Sequence, residues 1–246
     1  MPGNDPALPW IRRLRPGLRS KVLMFCLPYG NAPAAVFDAF AEALAPSVDV
    51  LAVRHDVADG PVRGLAAESI EDRADRLVEA VGDRVDRPVA LFGHGSGAVL
   101  AFELARRLEE EYAIDPVALF TAGCAAPSRI RDGGVRAADG AYAGIGAYDC
   151  DGRMRVRTDI FAFGGEGDAE TPVPDVLGWR RHTAGEFQAK IFTGGRRFLD
   201  EHFAEVVNAV TDFLLPVFGA EVIDIRRAGF GRPGRRRGRG TGDPCR

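Results

Sequence analysis

The chain has 246 residues, 46% of them apolar and 27% charged, with a formal net charge of −3. That length and apolar share suit one large buried core and exclude a disordered or fibrous chain. No apolar run is long enough to span a membrane, and residues 1–10 lack a basic stretch followed by an apolar one, so a cytoplasmic protein with no secretory leader is expected.

The four cysteines, Cys26, Cys124, Cys150 and Cys245, show no metal-ligand spacing. Reduced thiols are expected, with Cys26 a small core residue, and no metal or cofactor is called for. Charge is distributed unevenly. Residues 226–246 hold eight arginines against one aspartate, a net +7, which leaves −10 on residues 1–225. Rich in Gly and Arg, this tail has the composition of a disordered extension. Such tails can bind nucleic acid. The acidic body offers no basic face for a duplex, so nucleic acid is not expected as a partner.

Along the chain, apolar strands alternate with helices. Residues 21–27 (KVLMFCL) read as a strand followed by a Pro/Gly turn, and 34–45 have helical spacing through Phe37, Phe40 and Leu44. A strand is expected at 48–53, and an amphipathic helix at 66–81 with Ile70, Ala74, Leu77 and Val81 on one face. Residues 88–92 form a short apolar strand. After a glycine cluster, 98–112 form a long helix with Leu100, Leu104 and Leu108 in register. Strands at 117–121, 160–163 and 187–192 and helices at 174–182 and 199–215 complete the pattern. Strands apolar throughout and separated by helices imply a mostly parallel central sheet covered by helices on both faces. Residues 129–152, rich in Gly, Ala and Arg, lack an apolar period and read as a loop or short lid. The expected organisation is an N-terminal extension (1–19), one α/β domain (20–225) and the Arg/Gly tail (226–246).

Leu91-Phe92-Gly93-His94-Gly95-Ser96-Gly97-Ala98 lies between a strand and a helix. That is the setting of the G-x-S-x-G nucleophile elbow, where small flanking residues allow a sharp turn that lifts the central side chain above the sheet. Aligned on Gly93 and Gly97, the central position is Gly95, and Ser96 falls one place late.

Several blocks together resemble stand-alone type II thioesterases of polyketide and nonribosomal-peptide pathways. LFGHGSGAVLAFELARRL is similar to that family's LFGHSMGALVAFELARRL, and FCLPYGNAPAAVF to its strand-one loop CFPHAGGSA. PVALFTAGCAAPS, FAFGGEGDAETP and IFTGGRRFLDEHFAEVV resemble its next strand, its acid-bearing loop and its histidine-bearing segment, FPGGHFFLNDHLAEVV. The likeness runs over roughly residues 20–215. It implies an α/β-hydrolase fold with a shortened lid, and a degenerate triad: Gly95 at the nucleophile position, Asp168 at the acid and Arg196 at the base. Arginine does not lose its proton at ordinary pH. His202 matches a second histidine of the family, not the catalytic one.

The candidate catalytic residues are therefore Asp168, Ser96, His94 and Tyr29. Ser96 at the first helical position is displaced from the elbow tip and lacks a histidine base, and a turn-filling role competes with catalysis. His94 beside the elbow could pack or could handle a proton. The oxyanion loop is Pro28-Tyr29-Gly30-Asn31-Ala32, and the backbone N–H groups of Gly30 and Ser96 could bind an anion. Arg196 and His55 are further candidate substrate contacts. His55 and Asp56 stand where the family carries a Tyr-Pro-Gly-Arg stretch. An Asp168–Arg196 ion pair is expected.

The resemblance places the protein in natural-product (antibiotic) biosynthesis, acting on a small-molecule or carrier-bound acyl or peptidyl intermediate. The degraded triad favours non-hydrolytic chemistry (cyclisation, isomerisation or elimination) over ordinary acyl-enzyme hydrolysis. The alternatives are a non-catalytic partner that binds a biosynthetic enzyme or docks a carrier protein through an arginine patch such as Arg180 and Arg181, and residual thioester hydrolysis through Ser96 or a water activated by Asp168.

Overall fold

The structure is a computed structural model and describes residues 10–15, 20–30, 32–53, 69–82, 85–132, 148, 150 and 152–219. His55, Asp56, Asn31, most of the expected lid, Cys245 and the Arg/Gly tail lie outside the described residues.

Among the described residues, seven strands form one sheet in the order β1-β3-β2-β4-β5-β6-β7. They are β1 (Ile11–Arg13), β2 (Val22–Leu27), β3 (Val48–Val53), β4 (Val89–His94), β5 (Ala118–Ala122), β6 (Ile160–Gly165) and β7 (Phe187–Phe192). All pairings are parallel except β1 with β3. Every residue of β2, β5 and β6 is buried, as expected for parallel strands covered on both faces.

Helices α2 (Ile70–Val81) and α3 (Ser96–Glu111) cover one face, and Leu77, Val81, Leu100, Leu104 and Leu108 pack there. On the other face, α1 (Asp38–Leu44) and α6 (Phe203–Gly219) bring Phe40, Val206, Val210 and Leu214 against Phe92, Phe120 and Phe163. Each of these large side chains, fully buried, contributes about 1.5–3 kcal/mol. Ser69 caps α2, its hydroxyl accepting the Asp72 N–H at 3.0 Å.

Several boundaries differ from the sequence expectation for local reasons. Residues 11–13, which composition assigns to an extension, add an antiparallel edge strand. There Arg13 reaches Asp49 of β3, a carboxylate with no solvent exposure. Residues 34–37 are a 3-10 turn before α1. The expected 174–182 helix splits into α4 (Val173–Leu177) and a 3-10 segment (Gly178–His182), and the 199–215 helix into α5 (Phe198–Glu201) and α6, broken at His202.

Polar anchors tie the lid region to α3. Glu103, 1% exposed, accepts from the Tyr148 hydroxyl at 2.6 Å and from Arg106 and Arg107, and Arg107 also reaches Asp75. Glu109 receives the Thr158 N–H and hydroxyl at 2.9 and 2.7 Å. Cys26, Cys124 and Cys150 are buried and form no disulfide. Among the described residues no helix is long and apolar enough to cross a membrane.

The C-terminal ends of the strands matter most for function. The loops after β2, β4, β5 and β7 contribute Tyr29, Gly95, Gly123 and Arg196 to one cavity, at the edge where open α/β sheets present their sites.

Candidate active site

Gly95 forms the turn between β4 and α3 with φ 53° and ψ −129°. Its N–H donates to the Ala122 carbonyl at 2.8 Å, and its own carbonyl accepts from Ala98 N–H at 2.9 Å. A side chain is costly in this backbone conformation. A Cβ on Gly95 would also lie 2.9 Å from the Tyr29 Cβ. At Gly97, a Cβ would overlap the Leu27 and Pro28 carbonyl oxygens, so glycine is required for α3 to start this close to β2.

A cavity of about 590 Å³ opens directly over Gly95. Phe37, Phe40, Phe92, Phe203, Leu199 and Val206 give it an apolar body; Tyr29, His94, Arg196, Arg197 and Asp200 supply its polar lining. This size is typical of small-molecule sites.

The Ser96 hydroxyl does not reach into the cavity. Ser96 is 6% exposed, is not part of the lining, and its Oγ accepts the Gly30 N–H at 2.9 Å. The backbone donor of Gly30, expected to serve an oxyanion, is therefore engaged by Ser96 itself. That arrangement corrects the expectation of Ser96 and Gly30 as a ready donor pair.

His94 ends β4, and its ring meets the Tyr29 ring edge-on at 4.9 Å. Among the described residues, neither imidazole nitrogen has a hydrogen-bond partner. Burial first, and then the positive charge of Arg196, lower its pKa to about 4, against a smaller opposing effect of Asp200. His94 is thus a neutral imidazole at pH 7, with one donor and one acceptor available inside the cavity.

The expected Asp168–Arg196 pair is not formed. Arg196 pairs with Glu170 instead, and both side chains are about half exposed. Asp168 is buried in the loop after β6, where its Oδ1 accepts the N–H groups of Glu170 at 2.9 Å and Thr171 at 3.2 Å. This carboxylate holds its own turn and lies outside the cavity lining. His202 is also turned away from the cavity. Its Nδ1 meets Glu205 at 2.8 Å, its Nε2 meets the Thr193 carbonyl at 3.1 Å, and its pKa is raised, chiefly by the Glu205 bond.

Sequence reasoning missed Gly123, Arg197 and Asp200 as cavity residues. Arg197 and Asp200 sit beside Arg196 on the segment after β7, so position at a strand's C-terminal end was the available signal. It also missed a serine–histidine contact elsewhere. His182 Nε2 accepts from the Ser128 hydroxyl at 2.9 Å and the Ser128 N–H at 3.3 Å, while Nδ1 lies 2.9 Å from the Met154 carbonyl. His182 is fully buried beside Phe102 and Trp179, in the half of the core opposite the cavity's phenylalanines, and it ties together the segments that flank the lid region.

The sheet order and the strand–Gly-rich turn–helix at its centre define a protein of the α/β-hydrolase type. The chain belongs to the thioesterase family: the Thioesterase domain model matches residues 23–144. It is 31% identical to the type II thioesterase BorB from the borrelidin biosynthetic cluster, covering 83% of this chain and 97% of that one with a TM-score of 0.72. It is 29% identical to Thioesterase PikA5 of Streptomyces venezuelae, over 86% of this chain and 87% of the relative. A probable cadicidin biosynthesis thioesterase of Streptomyces griseus is 27% identical, over 87% of this chain and 68% of that protein.

Proposed function

We propose that this protein acts in a natural-product pathway, of the polyketide or nonribosomal-peptide kind, as a thioesterase-fold enzyme that has lost acyl-enzyme hydrolysis. It binds an acyl or peptidyl intermediate, free or on a carrier protein, and promotes a step that adds no water: a cyclisation, isomerisation or elimination. The relatives that carry the family assignment are named as thioesterases of borrelidin and cadicidin biosynthesis, which supports the pathway class.

One observation carries the reading of the site. A 590 Å³ cavity persists over Gly95, yet among the described residues neither a nucleophile nor a base in hydrolase register lines it. Gly95 offers no side chain, Ser96 faces Gly30, and Arg196 stays protonated. What the cavity does present is a neutral imidazole, a phenol, a guanidinium and an apolar wall. Such a site accelerates a reaction within the ligand by holding reacting groups together and stabilising developing negative charge. His94 and Tyr29 are the groups placed to touch the reacting atoms.

A panel of acyl and hydroxyacyl N-acetylcysteamine thioesters, followed by mass spectrometry, tests the reading. A product isomeric with the substrate, or one that has lost only the thiol by ring closure, supports it. Free acid formed at a rate above background overturns it in favour of hydrolysis. Binding without turnover of any member overturns it in favour of a non-catalytic partner.

A further inference from the structure

Two neighbouring strands leave the sheet through glycines on either side of one imidazole. His94, at the end of β4, is in register with Ala122 of β5, and the next residues are Gly95 and Gly123, with φ of 53° and 57°. Both glycines line the cavity. A Cβ on Gly123 would lie 3.8 Å from His94 Nε2, so that nitrogen borders the space a side chain at 123 would fill. The N–H groups of the two glycines are engaged within the sheet, on the Ala122 and Phe163 carbonyls at 2.8 and 3.0 Å. A ligand group resting over Gly123 therefore meets His94 Nε2 and neither of these N–H groups.

We propose that the cavity closes hydroxyacyl thioesters into lactones: the ligand's own hydroxyl, seated over Gly123, is the nucleophile, and His94 Nε2 is its general base. This rests on the reading of the site as non-hydrolytic and narrows the reaction to ring closure and the substrate to a chain with a free hydroxyl. The hydroxyl oxygen bonds to the thioester carbonyl carbon as its proton passes to Nε2. The C–S bond then breaks, and the same proton goes to the departing sulfur. The products are a lactone and a thiol, and no water or further reactant enters.

Gly95 presents no side chain and the Ser96 hydroxyl is held by the Gly30 N–H, which leaves the attack to the ligand or to water. A hydroxyl held against its own carbonyl by the wall of Phe37, Phe40, Phe92 and Phe203 has an effective concentration far above that of water. The imidazole, kept neutral at pH 7 chiefly by its burial, can accept a proton but is a weak base. It takes a proton from a hydroxyl, which becomes strongly acidic as it adds to a carbonyl, and not from a C–H beside a thioester. Isomerisation and elimination start at such a C–H. A ligand amine would arrive already protonated. The charged groups of the cavity wall are themselves paired, Arg196 with Glu170 and Arg197 with Asp200 at 3.7 Å, and the Tyr29 ring meets His94 edge-on; the proton transfer needs none of them.

The test incubates the full chain with N-acetylcysteamine thioesters of dodecanoic acid and of its 5-, 9- and 11-hydroxy derivatives, and quantifies lactone, free acid and thiol against protein-free reactions. Lactone is expected from at least one hydroxyacyl member, with no thiol release from the dodecanoyl thioester above background. His94→Ala should lower kcat for lactone by about 100-fold with KM within about threefold, and added imidazole should restore part of the rate. His94→Gln, closer in size, should show the same loss. For the unaltered chain, kcat/KM should stay level from pH 7 to about 5.5 and fall toward pH 4, as a base is lost to protonation. No lactone from any member, wild-type rates in both His94 variants, or a loss in His94→Ala that imidazole does not rescue overturns the proposal. A double-bond shift or dehydration without lactone overturns this proposal alone and leaves the non-hydrolytic reading standing, whereas hydroxyacid as the product overturns both.

Discussion

The Ser96 hydroxyl accepts the Gly30 N–H at 2.9 Å, and this single bond joins the start of α3 to the loop after β2. The serine nearest the elbow is thus an acceptor within the scaffold. A nucleophile needs its oxygen presented to the ligand and its proton taken by a base, and among the described residues Ser96 has neither. Ser96→Ala is expected to cost about 1 kcal/mol of stability, from leaving the Gly30 N–H unmatched, and to leave any thioester turnover within about twofold. Chemical denaturation and the thioester panel measure the two effects, and a tenfold or greater loss of turnover would restore Ser96 as a reacting group.

Restoring a serine at the elbow alone should not restore hydrolysis. Gly95→Ser places a Cβ at φ 53° and ψ −129°, close to the Tyr29 Cβ, with an expected cost of about 1–3 kcal/mol. The new hydroxyl still lacks a base. Adding Arg196→His supplies one, and the double variant should hydrolyse a decanoyl thioester about tenfold or more faster than either single variant, because nucleophile and base act as a unit. Initial rates of thiol release across the four proteins provide the check.

His94 gives stability a defined pH dependence. Its folded pKa of about 4 lies below the unfolded value, so the folded state binds fewer protons between them. Its contribution is fully present above about pH 6.5 and is lost as pH falls toward 4, by at most about 3 kcal/mol. His182, also lowered, has the same sign; His202, raised, has the opposite one. The difference between wild type and His94→Gln in denaturation from pH 7.5 to 4.5 isolates the His94 part. Arg196→Gln should raise the His94 pKa, which a histidine NMR titration reads directly.

Glu103 tests the internal polar network. Removing it leaves the Arg107 guanidinium, 6% exposed, without its main buried counter-charge and strands the Tyr148 hydroxyl. Glu103→Ala should cost about 3–5 kcal/mol, whereas Glu110→Ala, on the exposed side of Arg106, should cost less than about 1. Thermal melts of the two variants make the comparison.

Much of the architecture was legible because it depends on short-range patterns. The all-apolar runs of β2, β5 and β6 and the Ile70–Ala74–Leu77–Val81 face of α2 each state their burial in sequence. β1 was not legible, because a three-residue strand has no period and is held by the distant Asp49. At the site, the elbow and Gly95 could be read from glycine spacing, and Arg196 from its motif. The choice of Glu170 over Asp168 as the partner of Arg196 could not be read. It depends on Asp168 turning inward to cap its own loop, which only the folded backbone specifies. The direction of the Ser96 hydroxyl was hidden for the same reason: its partner, Gly30, lies 66 residues away.

The proposal that acyl-enzyme hydrolysis is lost is tested most directly by incubating the protein with acyl thioesters in 18O-labelled water, with a fluorophosphonate probe in parallel. The expected result is no 18O in any released acid above the protein-free background and no probe adduct on the intact chain. Acid carrying 18O at an enzyme-dependent rate, together with an adduct mapped to Ser96, would contradict it.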